Sequence, residues 1–157
     1  MGYLNITQEY IDKAKPGEGL IEYEPGLFSD PHKQHKEERQ AAEWLRATFG
    51  GDILLLAEIE RTLTPDYLWR GKLWDLKMPI TDNENTIEKR INHGIKQIFE
   101  TPRPEKAGGL IVDFTKSTLT FSQAEKIALE KADKRKRGAF DLIICKAEAF
   151  SVYHINE

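Results

Sequence analysis

Two aspartates and a lysine in the stretch Pro65-Asp66-Tyr67-Leu68-Trp69-Arg70-Gly71-Lys72-Leu73-Trp74-Asp75-Leu76-Lys77 have the types and spacing to gather a divalent cation beside an ammonium group. Tyr67 to Trp69 and Lys72 to Met78 read as two strands joined by Arg70-Gly71, a hairpin turn with glycine where positive φ is needed. Side chains alternate along a strand, so Leu73, Asp75 and Lys77 share one face and Trp74, Leu76 and Met78 the other. A two-residue loop pairs Trp69 with Lys72, and counting outward sets Asp66 opposite Asp75. Like charges so opposed destabilise a sheet and raise each other's pKa. A hard cation, Mg²⁺ or Mn²⁺, removes that conflict. Such an ion acidifies water and neutralises charge on a phosphate oxygen, while a neighbouring lysine stabilises the transition state. An isolated Asp-x-Lys on a strand is usually a solvated pair, so the second aspartate is what sets this stretch apart.

Other residues are candidates to complete the site. Glu38 lies at helical spacing from Ala41, Ala42 and Leu45, on the face expected to be buried, where a carboxylate is expensive unless paired or metal-bound. An edge position, with Glu38 reaching solvent, is the alternative, and Glu37 and Glu43 turn further from the stripe. Further along, Arg90, His93 and Gln97 form a polar ridge beside a stripe of isoleucines, suited to phosphate contact, and Lys89 and Lys96 extend it. His93 has the ordinary pKa of a proton shuttle, although a single helical histidine is more often structural. The run Lys131-Ala132-Asp133-Lys134-Arg135-Lys136-Arg137 offers Lys134 and Arg135 as a clamp on a nucleic-acid backbone, or as cations complementing a helix C-terminus. Tyr67, Trp69 and Trp74 face away from the carboxylates and are expected in the core. His32 and His35 have the spacing of half a metal site, but surface polarity is the simpler reading.

The elements that must position these groups follow from periodicity. Residues 1–30, with Pro16-Gly17 and Pro25-Gly26, read as a poorly regular N-terminal arm carrying one short strand at Leu20 to Tyr23. A helix from Pro31 to about Thr48 ends at Gly50-Gly51, and Ile53 to Ala57 suits a buried strand. After the hairpin, Asn85 with Glu88 resembles a capping box for a helix striped by Ile87, Ile91, Ile95 and Ile98. Gly109 to Phe114 is a strand, Ser122 with Glu125 a second capping box opening a helix to about Arg135, and Phe140 to Lys146 and Ala149 to Ile155 close the chain as strands. Beyond the arm, residues 31–157 are expected to form one domain in the order α-β-β-β-α-β-α-β-β, an α/β (α+β) mixed central sheet flanked by helices.

Pro65-Asp66, eight residues, then Asp75-Leu76-Lys77 resembles the PD-(D/E)xK motif of restriction-endonuclease-like nucleases, whose core runs αβββαβ. Together with Thr86-Ile87-Glu88-Lys89-Arg90-Ile91-Asn92-His93-Gly94-Ile95-Lys96-Gln97, the stretch is similar to the C-terminal tRNase domains of contact-dependent growth inhibition toxins, relatives of which occur in phage and mobile-element proteins. The resemblance covers roughly residues 36–114. It implies metal-dependent RNA cleavage, tRNA foremost, and a cognate immunity protein that blocks the site. Asp66, Asp75 and Lys77 match its motif directly, Glu38 matches the acidic residue of the first helix with Glu37 competing, and Gln97 resembles a polar residue that the second helix directs at the site. The metal ligands so implied are Asp66, Asp75 and Glu38.

Whole-chain properties narrow the classes. At 157 residues with 39% hydrophobic and 31% charged side chains, the chain has the composition of an ordinary globular domain. A net charge of −3 argues against a protein that coats nucleic acid, though not against a local basic groove. No apolar run approaches the roughly 20 residues of a membrane span. Met1 to Tyr10 lacks the layout of a secretory signal, so the expected site of action is the cytoplasm, reached as part of a larger secreted or phage protein. Cys145 is alone, excluding an intrachain disulfide. Two other readings stand beside the tRNase: a phage or mobile-element DNA nuclease on the same scaffold, and a catalytically idle binding domain.

Overall fold

A computed structural model describes residues 2–25, 36–58 and 61–157. The described elements run β1 (Tyr3–Asn5), α1 (Thr7–Lys13), β2 (Ile21–Tyr23), α2 (Lys36–Thr48), β3 (Ile53–Leu55), β4 (Tyr67–Trp69), β5 (Lys72–Lys77), α3 (Glu84–Phe99), β6 (Ala107–Asp113), α4 (Phe121–Arg135), β7 (Phe140–Lys146) and β8 (Ala149–Ile155). All eight strands join one mixed sheet in the order β1-β8-β7-β6-β5-β4-β3-β2. The strands β5, β6 and β7 are mutually parallel, joined through α3 and α4, while the β3-β4-β5 meander and the β7-β8 hairpin are antiparallel. From α2 onward the element order is the expected one. The expected helix start at Pro31 and the pair His32 and His35 lie outside the described residues.

Helices cover both faces. On one, Ile87, Ile91, Ile95 and Ile98 of α3 pack with Ala124, Ala128 and Leu129 of α4 against Leu110, Val112, Leu142 and Ile144 of the sheet. Each fully buried isoleucine stabilises the fold by roughly 1.5–3 kcal/mol, which explains why α3 takes the orientation its stripe dictates. On the other face, Ala42 and Leu45 of α2, with Phe49 and Tyr10, pack on Ile53, Tyr67, Trp69, Trp74 and Ile143. Tyr67, Trp69 and Trp74 are thus core residues, as their alternation required.

Three local expectations are corrected. Residues 2–25 are more regular than the expected arm, because besides the expected strand, β2, they hold β1 and α1; β1 and β2 form the two edges of the sheet and α1 packs on it. Helix α3 is capped by Asn83, whose side chain accepts from the Thr86 amide at 3.0 Å, instead of by Asn85. An earlier start moves Glu88 beyond the first turn, and it faces α4 instead of closing a cap. Helix α4 opens on a capping box of Thr120 and Gln123, two residues before the expected Ser122 and Glu125, and Glu125 instead accepts from Tyr153 Oη at 3.1 Å.

Candidate active site

The β4-β5 hairpin sets the geometry. Arg70 and Gly71 both take positive φ, 56° and 74°, the double left-handed turn whose twist suits a two-residue loop. Trp69 then pairs with Lys72, Leu68 with Leu73 and Tyr67 with Trp74. One step further out, Asp66 and Asp75 meet on the α3 face of the sheet, and each carboxyl acts on the other. The Asp66 side chain also replaces a rung of the ladder, since Oδ2 accepts from the Leu76 amide at 2.8 Å while the Asp66 carbonyl accepts from Leu56 at 2.9 Å.

Asp75 is wholly buried, at 0% exposure, and neither of its oxygens has a hydrogen-bond partner. The Lys77 ammonium lies 3.0 Å from Oδ2, an attraction of charges without the alignment of a hydrogen bond. Burial pushes both carboxyls above the usual range. For Asp66 the charge of Asp75 adds to that rise, whereas for Asp75 the Lys77 ammonium opposes it. A buried carboxylate left without hydrogen bonds is costly, and a hard divalent ion is the partner its chemistry suits.

Lys77 is the hub of the site. Besides Asp75, its ammonium donates to Gln97 Oε1 at 2.7 Å and lies 3.2 Å from His93 Nδ1. Gln97 is itself fixed, donating from Nε2 to the Thr64 carbonyl at 3.1 Å. Partial burial, then Lys77, Lys96 and Arg90, holds the His93 pKa below its ordinary value, so the ring is neutral near pH 7. A neutral ring accepting at Nδ1 carries its proton on Nε2. Lys77, Thr86, Lys89, Arg90 and His93 line an open cavity of about 290 Å³ beside the carboxylates. The expected polar ridge of α3 and the hairpin triad therefore share one site.

Other candidates sit elsewhere. Glu38 is not gathered with the aspartates, and among the described residues no group of three or more His, Cys, Asp or Glu forms a metal cluster. The cause is topological: α2 packs on the sheet face opposite the one that Asp66 and Asp75 share. The Glu38 carbonyl accepts from Tyr67 Oη at 2.6 Å, and the Glu38 charge is among those raising that phenol's pKa, after burial and Asp66. Glu37 pairs with Lys116 at 2.9 Å. Lys134 and Arg135 close on Glu88 together with Lys131. Arg135 and then Lys134 hold that carboxyl down to about 2, so the basic run is partly neutralised from within.

Two residues that sequence reasoning passed over matter here. Thr64 supplies the carbonyl that orients Gln97. Gly94 faces the stem of Lys77, where an added Cβ would stand 3.4 Å from Lys77 Cγ and Cε and 2.9 Å from Leu110 Cδ2. A glycine inside a strongly striped helix is itself a signal of close approach.

Comparison with known proteins gives a fold. No protein-family model matches the chain, and no curated protein matches it. Among solved structures, a chain of the CdiA-CT/CdiI toxin and immunity complex from Burkholderia pseudomallei is similar, with a TM-score of 0.55 and 17% identity over 83% of this chain and 97% of that one. At that identity the likeness concerns architecture.

Proposed function

We propose that this chain is a metal-dependent endonuclease of the PD-(D/E)xK kind that cleaves RNA, tRNA foremost, and acts as the toxin domain of a larger delivered protein. One observation carries the reading: Asp66 and Asp75 are packed together with Asp75 buried and unbonded, and the Lys77 ammonium lies 3.0 Å from it. The toxin context is supported by the architecture shared with a chain of a toxin and immunity complex, and it brings a cognate immunity protein as the expected partner. No described helix is long and apolar enough to cross a membrane.

Asp66 and Asp75 are the residues that would hold the ion, with hard oxygen donors fitting Mg²⁺ or Mn²⁺. When bound, such an ion supplies Lewis acidity toward the scissile phosphate and acidifies nearby water. Gln97 and His93 restrain the Lys77 ammonium, which is placed to neutralise charge developing on the phosphate. Arg90 and Lys89, at the rim of the cavity, are the expected contacts for flanking phosphates. Lys96 acts there through its charge, while Lys134 and Arg135, occupied by Glu88, are left out of the contact set.

The test is incubation with tRNA, bulk RNA and supercoiled plasmid, with Mg²⁺ and then with EDTA. Cleavage of tRNA that stops on chelation supports the reading. Plasmid nicking without tRNA cleavage would move the substrate to DNA, and activity that survives EDTA would remove the metal from the mechanism. Lys77→Ala is expected to slow cleavage by about 10²–10³, the usual loss for one transition-state donor.

A further inference from the structure

A second cavity, of about 610 Å³, lies at the other end of the hairpin and on the opposite face of the sheet from Asp75. Its walls come from β1, α1, the hairpin turn and the near ends of β5, β6, β7 and β8. At its centre Asp141 Oδ2 accepts from Tyr10 Oη at 2.5 Å, and Asp141 Oδ1 lies 2.8 Å from His154 Nδ1. His154 Nε2 has no hydrogen-bond partner among the described residues, and Asp141 forms no ion pair with the cations that line the cavity.

Those cations are Lys13, Arg70 and Lys72, and none forms an ion pair with a described residue. Arg103, Lys131, Arg135 and Arg137, by contrast, are each held by a carboxylate. Arg70 is stacked in place, its guanidinium 4.4 Å from the Trp69 ring centre and 4.8 Å from that of Tyr10. The cavity wall also holds Trp74, 2% exposed, whose indole Nε1 has no acceptor. Gly108 makes room for that ring, since a Cβ there would stand 2.4 Å from Nε1. Three cationic side chains and His154 thus share the lining with two carboxylates, Glu9 and Asp141, in a pocket with aromatic and aliphatic walls, and its volume is that of a small-molecule site instead of a lone ion's.

We infer that this cavity binds a nucleotide, its phosphate held by Lys13, Arg70 and Lys72 and its base against the apolar wall. A free mononucleotide and a nucleotide unit of an RNA strand present the same chemistry. The inference rests on this cavity and not on the nuclease reading.

The experiment is an NMR titration of the labelled full chain in EDTA, which keeps the Asp66-Asp75 centre free of metal. Inorganic phosphate, the four ribonucleoside monophosphates and a short RNA oligomer are added in turn. Shifts at the Trp74 indole, Gly108 and His154 on adding a mononucleotide assign the site to free nucleotides. The same shifts with the oligomer alone assign it to an RNA strand. In either case Lys13→Ala with Lys72→Ala, both at exposed positions, is expected to weaken binding at least about tenfold. Arg70→Gly, which suits the positive φ, is expected to weaken it as well. Absence of these shifts at millimolar ligand overturns the inference. So do shifts confined to His93 and Lys77, equal shifts from inorganic phosphate, or binding indifferent to all three substitutions.

Discussion

Asp75 concentrates the conflict on which the candidate site is built, a carboxylate at 0% exposure with no hydrogen bond to either oxygen. Asp75→Asn keeps the shape and removes the charge. It is expected to abolish cleavage while raising metal-free stability by about 1–3 kcal/mol, the scale of an unsatisfied buried group, as read by chemical denaturation in EDTA. The pH dependence follows from the direction of the shifts. Folded-state pKa values of Asp66 and Asp75 stand above the ordinary 3.8, so the folded chain binds those protons more tightly than the unfolded one. Their contribution to stability is present below that ordinary value and is lost as pH rises through the raised folded-state values. Denaturation midpoints in EDTA should therefore fall across that rise, and added Mg²⁺ should restore them. A wild-type profile that is flat and unmoved by Asp75→Asn would contradict this.

At the scale of the element, α3 reaches β5 through Gly94, whose missing Cβ leaves space for Lys77 and Leu110. Gly94→Ala gains up to about 1 kcal/mol of helix propensity but crowds Leu110 and the Lys77 stem, so the two effects on stability nearly cancel. The ammonium moves, and cleavage is expected to fall more than about tenfold with a thermal midpoint little changed. Unaltered cleavage would show that Lys77 has slack. The hairpin register and the shared face of Asp66, Asp75 and Lys77 were legible because a two-residue turn and strict alternation leave little freedom. The helix starts at Asn83 and Thr120 were harder to read, because several cap-forming residues stand close together and tertiary contacts choose among them. Glu38 was harder to place for a different reason. Helical spacing told that it lies near a buried face but could not tell which side of the sheet that face covers.

For the whole molecule, the two edges of the described sheet are both supplied by residues 2–25. The strand at Ile21–Tyr23 was expected, but glycine and proline content disguised β1 and α1, since elements so short carry almost no periodic signal. Ile6 and Tyr10 are buried, and the Tyr10 ring packs edge-on against Phe49 at 5.5 Å. Deleting residues 2–14 is expected to destabilise the fold by about 3 kcal/mol or more, from the burial of those two side chains alone. Equilibrium denaturation checks this. A truncated chain as stable as the full one would return the segment to the status of a dispensable cover. The large cavity beside α1 would disappear with it.

The Leu76 amide that donates to Asp66 Oδ2 gives the molecule an internal reporter. Its proton resonance depends on the electron density of a carboxylate expected to hold the ion. Protonating Asp66, neutralising it as asparagine, or drawing its charge toward a cation would each move that one signal in a characteristic direction. Chemistry at the carboxylate could thus be followed from the backbone, without substrate and without turnover.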